Sequence, residues 1–254
     1  MRISARTVSL RLGSATVLDR VDMDVSGGEL VGLIGPNGAG KTSLLRLLAG
    51  LLSPGGGDIA YDGHDLPTLP LPERARRVAY LAQGDTAHWP IGVVPLVALG
   101  RLPHRGSASP DADRAAVERA LEMADVVEFR DRTLDTLSGG ERARVLLARA
   151  LAVEAPVLLA DEPIAALDPY HQLQIMEMLR AAAGGGTGVV AVLHDLALAH
   201  RFCDRLVLIA HGRKIADGPP DEVLTDANLA TAYGIAVRRG DGYILPWTRL
   251  EKRS

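Results

Sequence analysis

The chain has 254 residues, 47% of them apolar and 23% charged, with a formal net charge of -3 and one cysteine. That composition supports one or two globular domains with a real core. It excludes a disulfide framework, a disordered low-complexity chain and the overall basic excess of a nucleic-acid binder. No apolar run reaches the length of a membrane span, and Met1-Arg2-Ile3-Ser4-Ala5-Arg6 lacks the apolar stretch of a signal peptide. Cys203 suits a reducing compartment and reads as a small buried residue.

Two strands are expected over residues 2–12 and 16–25, antiparallel and half-buried by their alternation. The apolar strand Leu30-Val31-Gly32-Leu33-Ile34 then runs into Gly35-Pro36-Asn37-Gly38-Ala39-Gly40-Lys41-Thr42 and the helix-like Ser43-Leu44-Leu45-Arg46-Leu47-Leu48-Ala49. This is a complete G-x-x-x-x-G-K-[ST] phosphate loop in its strand–loop–helix context. Its glycines let backbone N–H groups close around phosphate oxygens, and the helix N-terminus adds partial positive charge. Lys41 is placed to reach β- and γ-phosphates, and the Thr42 hydroxyl to ligate Mg²⁺. A strand over 57–63 follows. The stretch Leu66 to Pro72, with three prolines, is expected to be irregular.

From Gly84 to about Ala155 the pattern becomes mainly helical. Ser109 and Pro110 are the N-cap and first residue of a helix over 111–124. Basic residues are mostly arginine and read as solvated helix faces. Leu137-Ser138-Gly139-Gly140-Glu141 opens another helix, and a serine with two glycines there can bind an anion, although alone it reads as an ordinary N-cap. Val157-Leu158-Leu159-Ala160 is a buried strand that ends in Asp161 and Glu162, carboxylates where a phosphate site needs a Mg²⁺ ligand. Strands then alternate with helices, as a parallel sheet requires, and Gly184-Gly185-Gly186 ends a helix that starts near Pro169. Gln83 follows the strand-like Val78 to Ala82, and His194 follows Val189 to Leu193.

Taken in order, these segments resemble the ATP-binding subunits of ABC transporters over nearly the whole chain. Walker A is Gly35 to Thr42, the Q-loop is Gln83, and the signature is Leu137 to Glu141. Walker B is Val157 to Asp161 followed by Glu162, the D-loop is Ala166-Leu167-Asp168, and the switch histidine is His194. The resemblance implies an α/β fold: a P-loop ATPase core with a mixed sheet, an N-terminal antiparallel β subdomain and an inserted helical subdomain. The single ABC ATPase domain spans 1–254, with the core at 1–83 and 156–254 and the helical part, carrying the signature, at 84–155.

The resemblance also implies roles. Asp161, Thr42 and Gln83 serve Mg²⁺. Glu162 is the general base toward the attacking water, His194 holds that water in line, and Gln83 senses the γ-phosphate. Ser138, Gly139 and Gly140 complete the ATP site of a second copy, so an ATP-dependent homodimer is expected, with Asp168 near its interface. Two positions depart from the family. Leu12 stands where an aromatic usually stacks on adenine, which predicts weak base discrimination. Ile164 stands where Thr or Ser is frequent.

Importer ATPases for ferric siderophores, haem and cobalamin resemble this chain further. The resemblance lies in the segment Trp89 to His104, with its Leu99-Gly100-Arg101 and Pro103, and in the tail from Tyr233 to Pro246. The implied function is ATP hydrolysis driving metal-chelate import, including iron transport, through a separate integral-membrane permease. A periplasmic or lipoprotein solute-binding protein takes part indirectly, nucleic acid takes none, and the site of action is the cytoplasmic face of the cell (inner) membrane. An importer or exporter ATPase for another solute, or a soluble ABC ATPase of cluster-assembly type, is the alternative.

Overall fold

The computed structural model describes residues 1–84, 90–240 and 243–250. The chain opens with the hairpin β1 (Arg2–Leu12) and β2 (Ala15–Ser26), turning at Gly13 with φ 59°, a conformation glycine adopts without strain. Next come β3 (Leu30–Ile34), α1 (Lys41–Leu48), β4 (Gly56–Tyr61), the short β5 (His64–Asp65), α2 (Leu71–Arg77) and β6 (Val78–Leu81). A helical stretch follows: α3 (Val93–Ala98), a 3₁₀ segment over Leu99–His104, α4 (Pro110–Met123) and α5 (Gly139–Leu151). The chain then runs through β7 (Val157–Ala160), α6 (Pro169–Gly184), β8 (Gly188–Val192), α7 (Leu196–Phe202), β9 (Arg205–Ala210) and β10 (Arg213–Gly218). It closes with α8 (Pro220–Val223), α9 (Asp226–Tyr233), β11 (Ile235–Gly240) and β12 (Tyr243–Arg249).

The central sheet has the order β10-β9-β3-β8-β7-β6; all neighbours are parallel except β10 with β9. Both faces are covered, so its strands are apolar throughout rather than alternating. Leu30 and Ile34 of β3, with Leu158 and Ala160 of β7, join one core with α3 to α7. Val31, Leu33, Val157 and Leu159 point the other way, into a second core under α1 and the antiparallel sheet β2-β1-β4-β5. The loops at the carboxyl ends of β3, β6, β7 and β8 therefore emerge together from one edge of a rigid layer, the usual place for a ligand in an open α/β sheet.

Ser109 caps α4 by accepting from Ala112 N at 3.2 Å, with Pro110 in the first turn as expected. Two expectations are corrected. The proline-rich stretch is not irregular: Leu66–Thr68 forms a 3₁₀ turn, and α2 begins at Leu71 with Pro72 in its first turn. A first-turn residue has no intrahelical N–H partner to lose, so proline is tolerated there. Nor are all the arginines solvated. Arg101 is 7% exposed, with Nε on Asp113 at 2.9 Å and one terminal nitrogen on Ala152 O at 2.7 Å and Glu154 at 3.1 Å. Arg144 is equally buried, and donates to Asp125 O and its carboxylate while lying 5.3 Å from the Phe129 ring centre. Guanidinium groups reach inside where acceptors meet most of their donors, and here Asp113 of α4 and the turns after α4 and α5 supply those acceptors, with Arg144 Nε left unmet.

Within the segment that follows Gln83, Trp89 lies outside the described residues. Gly100 touches α5 so closely that a Cβ would fall 2.2 Å from Arg149 O, and the His104 ring meets Val153 O at 2.8 Å. Leu99 and Leu102 remain exposed. Among the described residues no helix is long and apolar enough to cross a membrane.

Candidate functional site

The loop between β3 and α1 is shaped from behind. Gly35 has φ 150°, and a Cβ there would lie 2.0 Å from Ile209 O of β9, so only glycine fits. Lys41, the first residue of α1, is buried and folds back over the loop. Its Nζ donates to Gly35 O at 2.7 Å and Pro36 O at 3.0 Å. Burial lowers the Lys41 pKa, opposed by the nearby charges of Glu162 and Asp161. Thr42 Oγ1, one residue on, donates to Asp161 Oδ1 at 2.9 Å.

Asp161 stands at the end of β7 and is 1% exposed. Its second oxygen accepts from the Tyr80 hydroxyl of β6 at 2.9 Å, and burial raises the Tyr80 pKa to about 12, so the phenol stays a donor. A buried carboxylate held by two hydroxyls is a hard oxygen site. Glu162 sits beside it at φ 52°, a conformation costing a non-glycine residue roughly 1–3 kcal/mol. Its side chain is clasped from both sides: His194 Nε2 lies 2.8 Å from Oε1, and Gln83 Nε2 donates to Oε2 at 2.6 Å. Loops after β6, β7 and β8 thus meet at one carboxylate.

One cavity of about 570 Å³ is lined by Val17, the loop residues Asn37 to Ser43, Gln83, Glu162 and His194. Leu12 does not line it and is 53% exposed, while Val17 of β2 does. Ser138, Gly139 and Gly140 are elsewhere. Ser138 caps α5 in a capping box: its hydroxyl accepts from Glu141 N at 3.3 Å, and Glu141 accepts from Ser138 N at 2.8 Å. Gly139 and Glu162 border a second cavity of about 340 Å³. Asp168 caps α6 through His171 N at 3.0 Å. Among the described residues no group of three or more His, Cys, Asp or Glu side chains is placed to hold a metal by itself.

A family model described as ABC transporter matches residues 18–165. The chain belongs to the ABC transporter ATP-binding family. It is 45% identical over 233 residues to a hemin import ATP-binding protein of Pseudomonas entomophila, covering 90% of this chain and 91% of that one. It is 42% identical to a cobalamin import ATP-binding protein of Halobacterium salinarum, covering 94% of this chain but 61% of that longer one. A bacterial ABC transporter cassette described as dimeric has a TM-score of 0.75 at 28% identity, covering 86% of this chain and 98% of that chain. The same cassette described as post-hydrolysis, bound to ADP and phosphate, matches with the same values. This ABC chain is an ATPase with an α/β P-loop fold, and its nucleotide is ATP.

Motif reading missed two residues of the site, Tyr80 and Val17. Both lie on strands, and the only hint was position: Tyr80 is three residues before Gln83, on the strand that pairs with Walker B.

Proposed function

We propose that this chain is the ATP-hydrolysing subunit that drives import of a metal chelate, a ferric siderophore, haem or cobalamin, through a separate membrane permease. It works as a homodimer at the cytoplasmic face of the cell membrane, and a solute-binding protein outside delivers the cargo. The observation that carries hydrolysis is Glu162 clasped between His194 and Gln83 at the mouth of the phosphate loop. The cargo class rests on relatives 42–45% identical that are named for hemin and cobalamin import.

In this reading the Gly35 to Thr42 backbone and Lys41 hold the phosphates. Glu162 accepts the proton of the attacking water, and His194 keeps water and carboxylate aligned. Thr42 and Asp161 fit Mg²⁺: two adjacent hard oxygens, with remaining positions for phosphate and water, are what this ion takes. Bound Mg²⁺ supplies charge neutralisation at the phosphates. Gln83 serves that ion and the γ-phosphate by turning from Glu162. Ser138, Gly139 and Gly140 are outside the Lys41 cavity, which supports their serving the partner's phosphate loop, with Asp168 at the same interface. The exposed Leu99 and Leu102, near the Gln83 end of the helical part, receive a cytoplasmic helix of the permease.

The test is reconstitution with candidate permeases of the same organism, measuring ATP-dependent uptake of labelled hemin, cobalamin and a ferric siderophore. ATP-driven uptake of at least one supports the reading. Pairing with a permease for amino acids or phosphate would overturn the cargo class. Loss of iron–sulfur cluster assembly on deletion, with all three uptakes intact, would overturn import.

A further inference from the structure

The second glycine of the signature is packed against a histidine from a different motif. A Cβ on Gly140 would lie 2.1 Å from Cδ2, 2.2 Å from Cγ and 2.5 Å from Nε2 of His171, so the imidazole occupies the space of the missing side chain. The ring is held in place. Nδ1 is 2.9 Å from Gln174 Oε1, the backbone N–H of His171 donates to Asp168 Oδ1 at 3.0 Å, and Tyr170 packs edge-on with ring centres 5.4 Å apart. His171 thus belongs to the same first turn of α6 that Asp168 caps. Beside this contact a gap opens in the packing, although further along α5 Val145 and Ala148 share one core with Leu158 and Met176. A cavity of about 340 Å³ separates Gly139, Arg142, Ala143 and Leu146 of α5 from the segment after Glu162.

We propose that His171 is a positioning residue that joins the signature turn to the Asp168 turn, so that one protomer presents both to its partner as a single unit. The proposal rests on the reading that Ser138 to Gly140 complete the partner's ATP site. Without the ring, the first turn of α5 can settle toward the gap, and the signature loses its fixed distance from Asp168. ATP binding at the chain's own phosphate loop does not use this contact, because neither Gly140 nor His171 lines that cavity. The cost falls on turnover in the closed dimer.

The experiment compares His171→Ala, His171→Phe, Gly140→Ala and the double variant Gly140→Ala/His171→Ala in the full-length chain. Thermal unfolding of each shows that it folds. A double-mutant cycle of stability reads the contact itself, independently of activity. His171→Ala is expected to lower kcat roughly tenfold at an unchanged affinity for a fluorescent ATP analogue. His171→Phe keeps the ring's bulk and is expected to stay within about threefold of wild type. Gly140→Ala is expected to be the worst single variant, and His171→Ala to restore part of its turnover by opening the space the new methyl needs. Wild-type kcat in His171→Ala would overturn the proposal, as would a double variant no more active than Gly140→Ala. The composite-site reading fails separately: it falls if the wild-type rate per subunit is independent of protein concentration in a demonstrated monomer. In that case the stability cycle still reports whether the two residues touch.

Discussion

Glu162→Gln isolates the charge of one carboxylate from the geometry around it. Oε1 meets His194 Nε2 at 2.8 Å, and Oε2 accepts from Gln83 Nε2 at 2.6 Å. Glutamine keeps one acceptor and turns the other atom into a donor. Gln83 can rotate its amide to present oxygen, or His194 can take the other tautomer, so both contacts survive. The positive φ of 52° is carried by backbone and is unaffected. Phosphate binding is maintained, because Lys41, Thr42 and Asp161 make their contacts without Glu162. Removing a negative charge beside the γ-phosphate leaves ATP affinity equal or tighter. What is lost is the proton acceptor, a contribution of about 10²–10⁴ in rate, or about 2.7–5.4 kcal/mol at 1.36 kcal/mol per decade. The assay is steady-state phosphate release with nucleotide affinity by fluorescence, and size-exclusion chromatography to show an ATP-trapped dimer. Turnover within tenfold of wild type, with ATP bound, would remove Glu162 as the base.

Ser138→Arg places a long cation at the signature turn and should block dimer closure; nucleotide affinity stays near wild type while turnover and its dependence on protein concentration collapse. Leu12 stands outside the Lys41 cavity, so Leu12→Tyr should change ATP affinity by less than the roughly 0.5–1.5 kcal/mol of an aromatic pair, and wild type should prefer ATP over GTP only weakly; a strong wild-type preference means another residue reads the base. Arg101→Ala leaves Ala152 O unpaired and unties Asp113, while Glu154 keeps Arg119 at 2.6 Å; the carboxylates are 31% and 41% exposed and regain water, so the loss in urea unfolding is about 1–3 kcal/mol, that of a buried acceptor left unmet. Leu102→Glu should keep the ATPase rate of the isolated protein within about twofold, as a surface change does, and abolish uptake with the permease; undiminished uptake would move the docking face elsewhere.

The phosphate loop was legible because its chemistry is local. Eight consecutive residues carry the glycines, the lysine and the hydroxyl, and the strand before and helix after them follow from apolar runs. The sheet was legible for the same reason: strands buried on both faces are continuous apolar segments. Contacts between distant segments were not legible. Tyr80 and Asp161 are 81 positions apart and meet only because β6 and β7 pair in register, Tyr80 with Leu159. The buried Arg101 depends on Asp113 and Glu154, from two other elements, and no local pattern distinguishes it from a solvated arginine. The prolines at 67, 70 and 72 look like breakers in the sequence, although Pro67 and Pro72 lie where a helical turn begins and a missing N–H costs nothing. Composition named their residue type but not their place in the turn.

The motif glycines show why short sequences suffice to build this site. Gly35 is pressed on Ile209 O of β9, Gly40 on Leu18 of β2, and Gly140 on the His171 ring of α6. Each contact is made by a different element, and each would be blocked by a single methyl group. The loops are therefore not free segments that find a shape around ATP. The sheet, the hairpin and α6 impose their shape from behind, so their N–H groups are aimed before nucleotide arrives, and little ordering cost remains to be met by binding. Glu162 completes the same logic from the other side. Its strained backbone is held by the end of β7, and its side chain by residues after β6 and β8. The Glu162 carboxylate thus stays fixed relative to the phosphate loop through the rigid layer they share. The signature lies across a cavity from that layer, on α5, and its described contact with α6 at Gly140 runs through His171. Motion within the subunit is therefore expected at the first turn of α5, whose later turns are packed on the sheet, and the Glu162 carboxylate should hold its place while the signature moves.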